Sequence, residues 1–422
     1  MRKVSTIITI LILKLHLVTA QNGIPFEHSS ITFVEYMELV KTKNLEYAAE
    51  KLNINIAEAA LKASKIFSDP IISVDVSTET DKSVRTGYGF TSELVKTVDL
   101  GGERKARIDL FSSEKDLTSA LLADYFRNLQ AEATLFYLEA MKHRQLFIVR
   151  NNSYQTMKKL AEADSIRFRL GSIMEIDAIQ SKLETGILLN EMIHAISEWK
   201  NALSDISMLT GVFMYDTLFL PSSHLHDVSR DFRLNDLITE AQNNRADLQA
   251  AFQNKTVSQK ALLLIKKGRN TDIDLKLGFS NLYLVGGTSS SPGVYGGVAL
   301  PLKFSNFNKG EMKMAELRVE QSERFYDQAE LKIKNEVTQS WENYYDYCRQ
   351  VENFNNGLLE DAENVRKGKI YSYQRGETSL LEVLNAQRTY NEIQTTYYET
   401  LFYQAAALVK LEKAAGIWDI SF

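Results

Sequence analysis

The chain has 422 residues, 44% of them hydrophobic and 24% charged, with a formal net charge of −5. That composition excludes a disordered chain, a collagen and a polytopic helical membrane protein, and the acidic balance offers nucleic acid no basic face. A single cysteine, Cys348, excludes both a disulfide framework and a cysteine metal site within one chain.

In chain order the first element is a leader. Residues 1–20 read MRKVSTIITILILKLHLVTA, with a basic start at Arg2 and Lys3, an apolar run over Val4–Leu13 and small residues at Val18-Thr19-Ala20. This is the pattern of a secretory signal peptide cut before Gln21. The apolar run is too short to span a bilayer, which needs roughly 20 residues. No cysteine follows it to carry a lipid. A chain of this composition that crosses a membrane does so as a β-barrel.

The rest reads as two copies of one unit, about 30–210 and 235–422, joined by a linker over 211–234. Each copy begins with a helix, Ser30–Phe67 or Asn235–Gly268. A β-hairpin follows, about 70–100 or 271–304. Then comes a very long helix, 101–168 or 307–373, a glycine-marked break, and a last helix, 172–210 or 377–416. The five prolines, at 25, 70, 221, 292 and 301, leave 101–210, 235–270 and 307–416 free for helix. Gly171 and Gly376 mark the breaks. Gly101 and Gly102 mark the corner between strand and helix.

The long helix of the first copy would run ~100 Å at 1.5 Å per residue, longer than any globular core. Such helices pack side by side as a rod or tube. Leu117, Leu121, Leu122, Phe126, Leu129, Ala133, Phe136 and Ala140 supply a helical stripe. The hairpins favour a tube over a soluble coiled coil. Ile72, Val74 and Val76 alternate with Ser73, Asp75 and Ser77, and the other three strands repeat the alternation. One apolar and one small or polar face is the pattern of a transmembrane barrel strand. Four strands cannot close a barrel, whereas three copies supply twelve. A homotrimer is therefore expected.

Three patches carry a resemblance to a known family. The first is Asn44-Leu45-x-x-Ala48-Ala49-x-x-Leu52, running on to Asp69-Pro70. The second is the corner Leu100-Gly101-Gly102-Glu103-Arg104, with Val298-Ala299-Leu300-Pro301 in the second copy. The third is Tyr373-x-x-Gly376-x-x-x-x-Leu381-Glu382-Val383-Leu384-Asn385-Ala386-Gln387. With these the chain resembles the TolC-like outer-membrane efflux proteins over about 30–416. The Leu-Gly-Gly-Glu-Arg corner and Asn244-Arg245-Ala246-Asp247-Leu248 look like the heavy-metal cation branch. Ala246 stands where that branch usually has proline. The resemblance implies a mainly α fold with a transmembrane β-barrel part, built as a trimeric twelve-stranded barrel on an α-helical periplasmic tunnel. It implies the outer membrane of a Gram-negative bacterium. It also implies outer-membrane lipid, a periplasmic adaptor and an inner-membrane pump, the RND type first, as partners. The passive exit of a tripartite efflux system is the leading function, with metal cations as one cargo. An exit duct for type I protein secretion is the alternative within the family. A secreted coiled-coil adaptor or scaffold is the alternative outside it.

A conduit needs a wetted bore, a gate and a docking surface rather than bond-making chemistry, so no enzyme activity and no cofactor are expected. By the resemblance the gate lies at the turns Phe168–Ser172 and Tyr373–Glu377, with Glu382 at the first acidic position. Asn385 stands at the second, where an acid is often found, and Asp177 with Glu175 is the counterpart in the first copy. Threefold symmetry would turn one carboxylate into a ring of three, whose field a narrow bore focuses. The competing role for such a carboxylate is to offset the helix dipole. Arg375 and Tyr373 are candidates to latch the tip by interhelix bonds, with turn capping as the rival. His224 and His226, beside Asp227, are a weak metal-ligand pair in a polar loop. Gly286–Ser291 has neither the helix nor the lysine of a phosphate loop.

Overall fold

The computed structural model describes residues 28–81, 84–211, 218–270, 272–284, 290–301 and 309–420. The expected leader, Leu302, Phe304 and most of the Gly286–Ser291 loop lie outside them. The first half runs β1 (His28–Ile31), α1 (Phe33–Lys43), α2 (Leu45–Ser64), β2 (Ile71–Asp81), β3 (Val84–Val98), α3 (Glu103–Arg169) and α4 (Glu175–Leu209). The second half repeats that order. It runs β4 (Leu218–Pro221), α5 (Leu234–Asn244), α6 (Ala246–Lys267), β5 (Ile273–Leu284) and β6 (Ser290–Ala299), then α7 (Lys309–Asn353), α8 (Leu359–Gln374) and α9 (Leu380–Ala415).

Three expected helices are interrupted. The element expected over 30–67 opens as a strand, β1, and then breaks at Asn44, whose backbone is extended (φ −60°, ψ 123°). The Asn44 side chain makes the break stable. Its Oδ1 accepts the Tyr47 amide at 2.8 Å, and its Nδ2 donates to the Leu209 carbonyl at 3.1 Å, pinning the joint to the end of α4. The element expected over 235–268 breaks in the same way at Arg245 (φ −72°, ψ 121°). The Arg245 guanidinium grips both oxygens of Asp247 at 2.6 and 2.9 Å and reaches Glu336 at 2.7 Å. The helix expected over 307–373 is divided into α7 and α8 by a wide turn over Phe354–Leu358. There Gly357 sits at φ +108°, a conformation that L side chains rarely adopt.

Four strands form one antiparallel sheet in the order β2-β3-β5-β6. Register places Ile72 opposite Leu94 and Leu94 opposite Leu277. Val74, Ser92, Phe279 and Val294 make the next row of the same face. Most of these apolar side chains are exposed. The other face carries Ser73, Glu93, Gly278 and Tyr295 in one row, and Asp75, Thr91, Ser280 and Gly293 in the next. There Lys276 pairs with Glu93 at 3.1 Å, and the Tyr295 hydroxyl donates to the same carboxylate at 3.2 Å. The sheet thus has an apolar face and a wettable face, and each of its edge strands, β2 and β6, has a single neighbour.

Below the sheet, α3 has α2 and α6 against its first part and α4 and α9 along its later part. The main core lies midway, where the parallel pair β1–β4 ties the two halves together. Tyr36, Tyr137, Leu138, Met141, Trp199, Leu203 and Ile206 are buried in it. A second core gathers Leu237, Ile333, Val337, Tyr344, Leu408 and Leu411. A third, smaller one lies near the far ends of the helices, with Met157, Leu160, Leu188, Tyr373, Leu380, Val383 and Leu384. Each such apolar side chain contributes about 1.5–3 kcal/mol by burial.

Candidate functional site at the helical tip

The α3–α4 and α8–α9 turns are built alike. Gly171 (φ +72°) and Gly376 (φ +79°) take the left-handed conformation that ends a helix. The next amide then reaches back five residues. Ser172 donates to the Arg167 carbonyl at 2.8 Å, and Glu377 to the Ser372 carbonyl at 2.9 Å. Both following helices start with carboxylates. Glu175 and Asp177 lie in the first turn of α4, and Glu382 lies in the first turn of α9.

Glu382 is exposed and partnered. Its carboxylate accepts from Lys369 on α8 and from the Thr378 hydroxyl, the latter at 3.1 Å. Its amide donates to the Ser379 hydroxyl, which caps the helix. The Lys369 bond first and the Thr378 bond second hold its acidity below the usual glutamate range. Asn385, one turn on, is exposed. Asp177 is half-buried and Glu175 exposed.

Tyr373 and Arg375, paired in the sequence reading, part company here. Tyr373 is buried in the tip core, and its hydroxyl donates to Asp164 Oδ1 on α3 at 3.1 Å. It therefore joins the two helical hairpins. Arg375 stays within its own turn, donating to the Tyr371 hydroxyl at 3.0 Å and pairing with Glu377 at 2.9 Å.

Sequence reasoning missed Asp164. Its side chain is fully buried, with Arg167 3.6 Å away. Burial raises its pKa above the usual aspartate range, against the opposing effects of Tyr373, Ser181 and Arg167. Burial, and then the Asp164 charge, push the Tyr373 hydroxyl upward, so it remains a donor. The heptad-like surroundings of Asp164 mark it only as an acid among apolar and small residues, facing a tyrosine 209 positions away. Two further pairs tie α4 to its neighbours. Arg388 on α9 grips Glu184 at 2.9 and 3.3 Å, and Arg150 on α3 holds Glu191 at 3.0 Å.

The other candidates lie elsewhere. His224 and His226 are exposed, and His226 Nδ1 lies 3.0 Å from the His224 carbonyl. No group of three or more His, Cys, Asp or Glu side chains is placed to hold a metal ion among the described residues. Gly102 opens α3 at φ +74°, and Asp99 accepts the amides of Gly102, Glu103 and Arg104. Gly101 is buried against Asn270.

This arrangement, a two-faced sheet above long paired helices, recurs in solved structures. CusC, described in terms of folding and transmembrane channel formation, aligns with a TM-score of 0.74 at 14% identity, covering 95% of this chain and 96% of its own. The CmeC outer membrane channel of Campylobacter jejuni aligns with a TM-score of 0.74 at 14% identity, covering 96% and 91%. Over nearly its whole length the chain thus has the fold of the TolC-like outer-membrane channels. Residues 237–417 match the family model described as outer membrane efflux protein. It is also 21% identical over 389 residues to the cobalt-zinc-cadmium resistance protein CzcC of Cupriavidus metallidurans, covering 90% of this chain and 89% of CzcC. Such a protein is a passive channel component and not an enzyme.

Proposed function

We propose that three copies of this chain form the outer-membrane channel of a tripartite efflux system in a Gram-negative bacterium. The observation that carries this reading is the sheet. Its apolar face suits lipid, its polar face suits water, and its free edges β2 and β6 are complementary to those of a neighbouring copy. Three copies close a twelve-stranded barrel and leave no edge. The long helices then line a tunnel toward a periplasmic adaptor and an inner-membrane pump, of the RND type. The likeness to CzcC supports divalent metal cations as cargo. The tip serves as the gate. Tyr373–Asp164 holds the α8–α9 hairpin against α3, and Glu382, moderated by Lys369, presents charge at the entrance.

Detergent-extracted protein imaged as single particles tests the assembly. A threefold tube well over ~100 Å long, with a detergent belt at one end, is expected. A detergent-free monomeric or dimeric rod would overturn it. In planar bilayers, Glu382→Ala is expected to weaken block of the channel by divalent cations. Unchanged block would remove Glu382 from the entrance.

A further inference from the structure

We propose that a basic collar just beneath the sheet binds anionic phospholipid headgroups at the periplasmic rim of the barrel. This rests on the reading of β2, β3, β5 and β6 as a lipid-exposed wall. Three element ends meet where the sheet passes into the long helices: the end of α2, the start of α3 and the end of α6. Arg104 Nε donates to the Lys65 carbonyl at 3.0 Å, and its guanidinium lies 3.9 Å over the Phe67 ring. Asn270 donates to the Gly101 carbonyl at 3.3 Å. A side chain at Gly101 would lie 3.1 Å from the Lys267 carbonyl, so these ends are in contact.

Their juxtaposition gathers Lys65, Lys105, Lys266 and Lys267. All four are exposed, and none has an ion pair among the described residues. The nearby acids are Asp69, Asp99 and Glu103, with Asp272 and Asp274 at the same end of β5, where the Thr97 hydroxyl donates to Asp274 at 2.6 Å. Asp99 is committed to three backbone amides at the start of α3, and Glu103 turns toward Gly268. With Lys96, Arg104, Arg107 and Arg269 at the same level, basic side chains outnumber these acids and the collar is cationic on balance.

Large apolar side chains share this level. Ile66, Phe67, Leu100 and Leu300 are all more than half exposed. Strand register puts Val98 opposite Ile273 and Asp274 opposite Ala299, so Leu100 and Leu300 leave the same end of the sheet. Lys96 lies on the apolar face at that end and reaches the Ser68 carbonyl. Exposed aliphatic and aromatic groups bordered by lysines are what a membrane interface selects. The apolar groups enter the headgroup boundary, and the ammonium groups meet lipid phosphates. Pairing with an anionic lipid surface would offset the mutual repulsion of the four lysines.

The full-length protein, reconstituted in phosphatidylethanolamine vesicles with and without phosphatidylglycerol, provides the test. Retained lipids are counted by native mass spectrometry after extraction. The wild type is expected to keep phosphatidylglycerol in preference to phosphatidylethanolamine. The K65Q/K105Q/K266Q/K267Q variant is expected to lose that preference by about fivefold or more. A Lys158→Gln, Lys159→Gln variant near the tip should keep it, and both variants should still give the assembled channel on a gel. Equal retention by the wild type and the fourfold variant would overturn the collar. So would an equal loss in the tip variant, because it would point to net charge rather than place. Failure of the wild type to insert into either vesicle would overturn the membrane-wall reading itself.

Discussion

At the scale of single residues, the tip is governed by a buried acid and the hydroxyl that faces it. Burial raises Asp164 above its ordinary value of 3.8. An arrangement that exposed Asp164 would return it toward that value, so the packed tip binds the proton more tightly than one in which the α8–α9 hairpin has left α3. In the proposed gate, acidification therefore favours the packed tip, over a window that begins near 3.8 and extends upward. Bilayer conductance should rise with pH through this window, and Asp164→Asn should abolish the dependence. Tyr373→Phe removes a charge-assisted donor, worth about 1.5–3 kcal/mol, and should raise conductance at neutral pH. A second buried acid acts on stability. Glu412, near the end of α9, accepts from the Asp419 amide at 3.0 Å and from Arg230 at 3.3 Å. Burial first, and then the Asp419 carboxyl, push it up to about 8 from an ordinary 4.5. Its contribution is fully present below 4.5 and is lost as pH rises toward 8. Tm should therefore fall across that range, and Glu412→Gln should flatten the fall.

At the scale of elements, the informative feature is where the helices stop. The glycine turns at 171 and 376 were legible because a left-handed residue ending a helix calls for glycine. The breaks at Asn44 and Arg245 were not. Neither residue forbids helix, and each break is stabilised by partners remote in sequence, Leu209 in one case and Glu336 in the other. Asn44 did carry a local signal, since asparagine before a helix is a good cap. The turn over Phe354–Leu358 has a local signal in Asn355-Asn356-Gly357, but the apolar periodicity continues on both sides and masks it. Gly357 has open space where a side chain would begin, so the cost of substitution there is conformational. Gly357→Ala should destabilise the α7–α8 joint by about 1–2 kcal/mol. Hydrogen exchange should then quicken around 351–362 and remain unchanged in α3.

At the scale of the whole molecule, the similar order of elements in the two halves made most of the architecture readable. Two weak hairpin patterns at matched positions reinforced each other, as did two glycine breaks 205 residues apart. What that order could not reveal was the closure between the halves. β1 and β4 are four residues each, too short for alternation to show, yet their parallel pairing sits beside the main core. The Tyr373–Asp164 contact was hidden for a related reason. It joins one half to the other, so no internal comparison of copies points to it. Residues within a repeat are predicted by the repeat, and residues between repeats by the three-dimensional packing alone.

In the proposed barrel, the free edges of β2 and β6 bear on how the molecule matures. In hydrocarbon an unpaired backbone amide or carbonyl costs several kcal/mol, so a lone copy has no low-energy way to enter a bilayer. In water the same edges, on a sheet with one oily face, invite promiscuous strand addition. The two hazards leave one productive order of events: copies must find each other before or while they enter lipid. Insertion should consequently depend more than linearly on protein concentration, and a chain in excess of its partners should be lost to aggregation rather than stored.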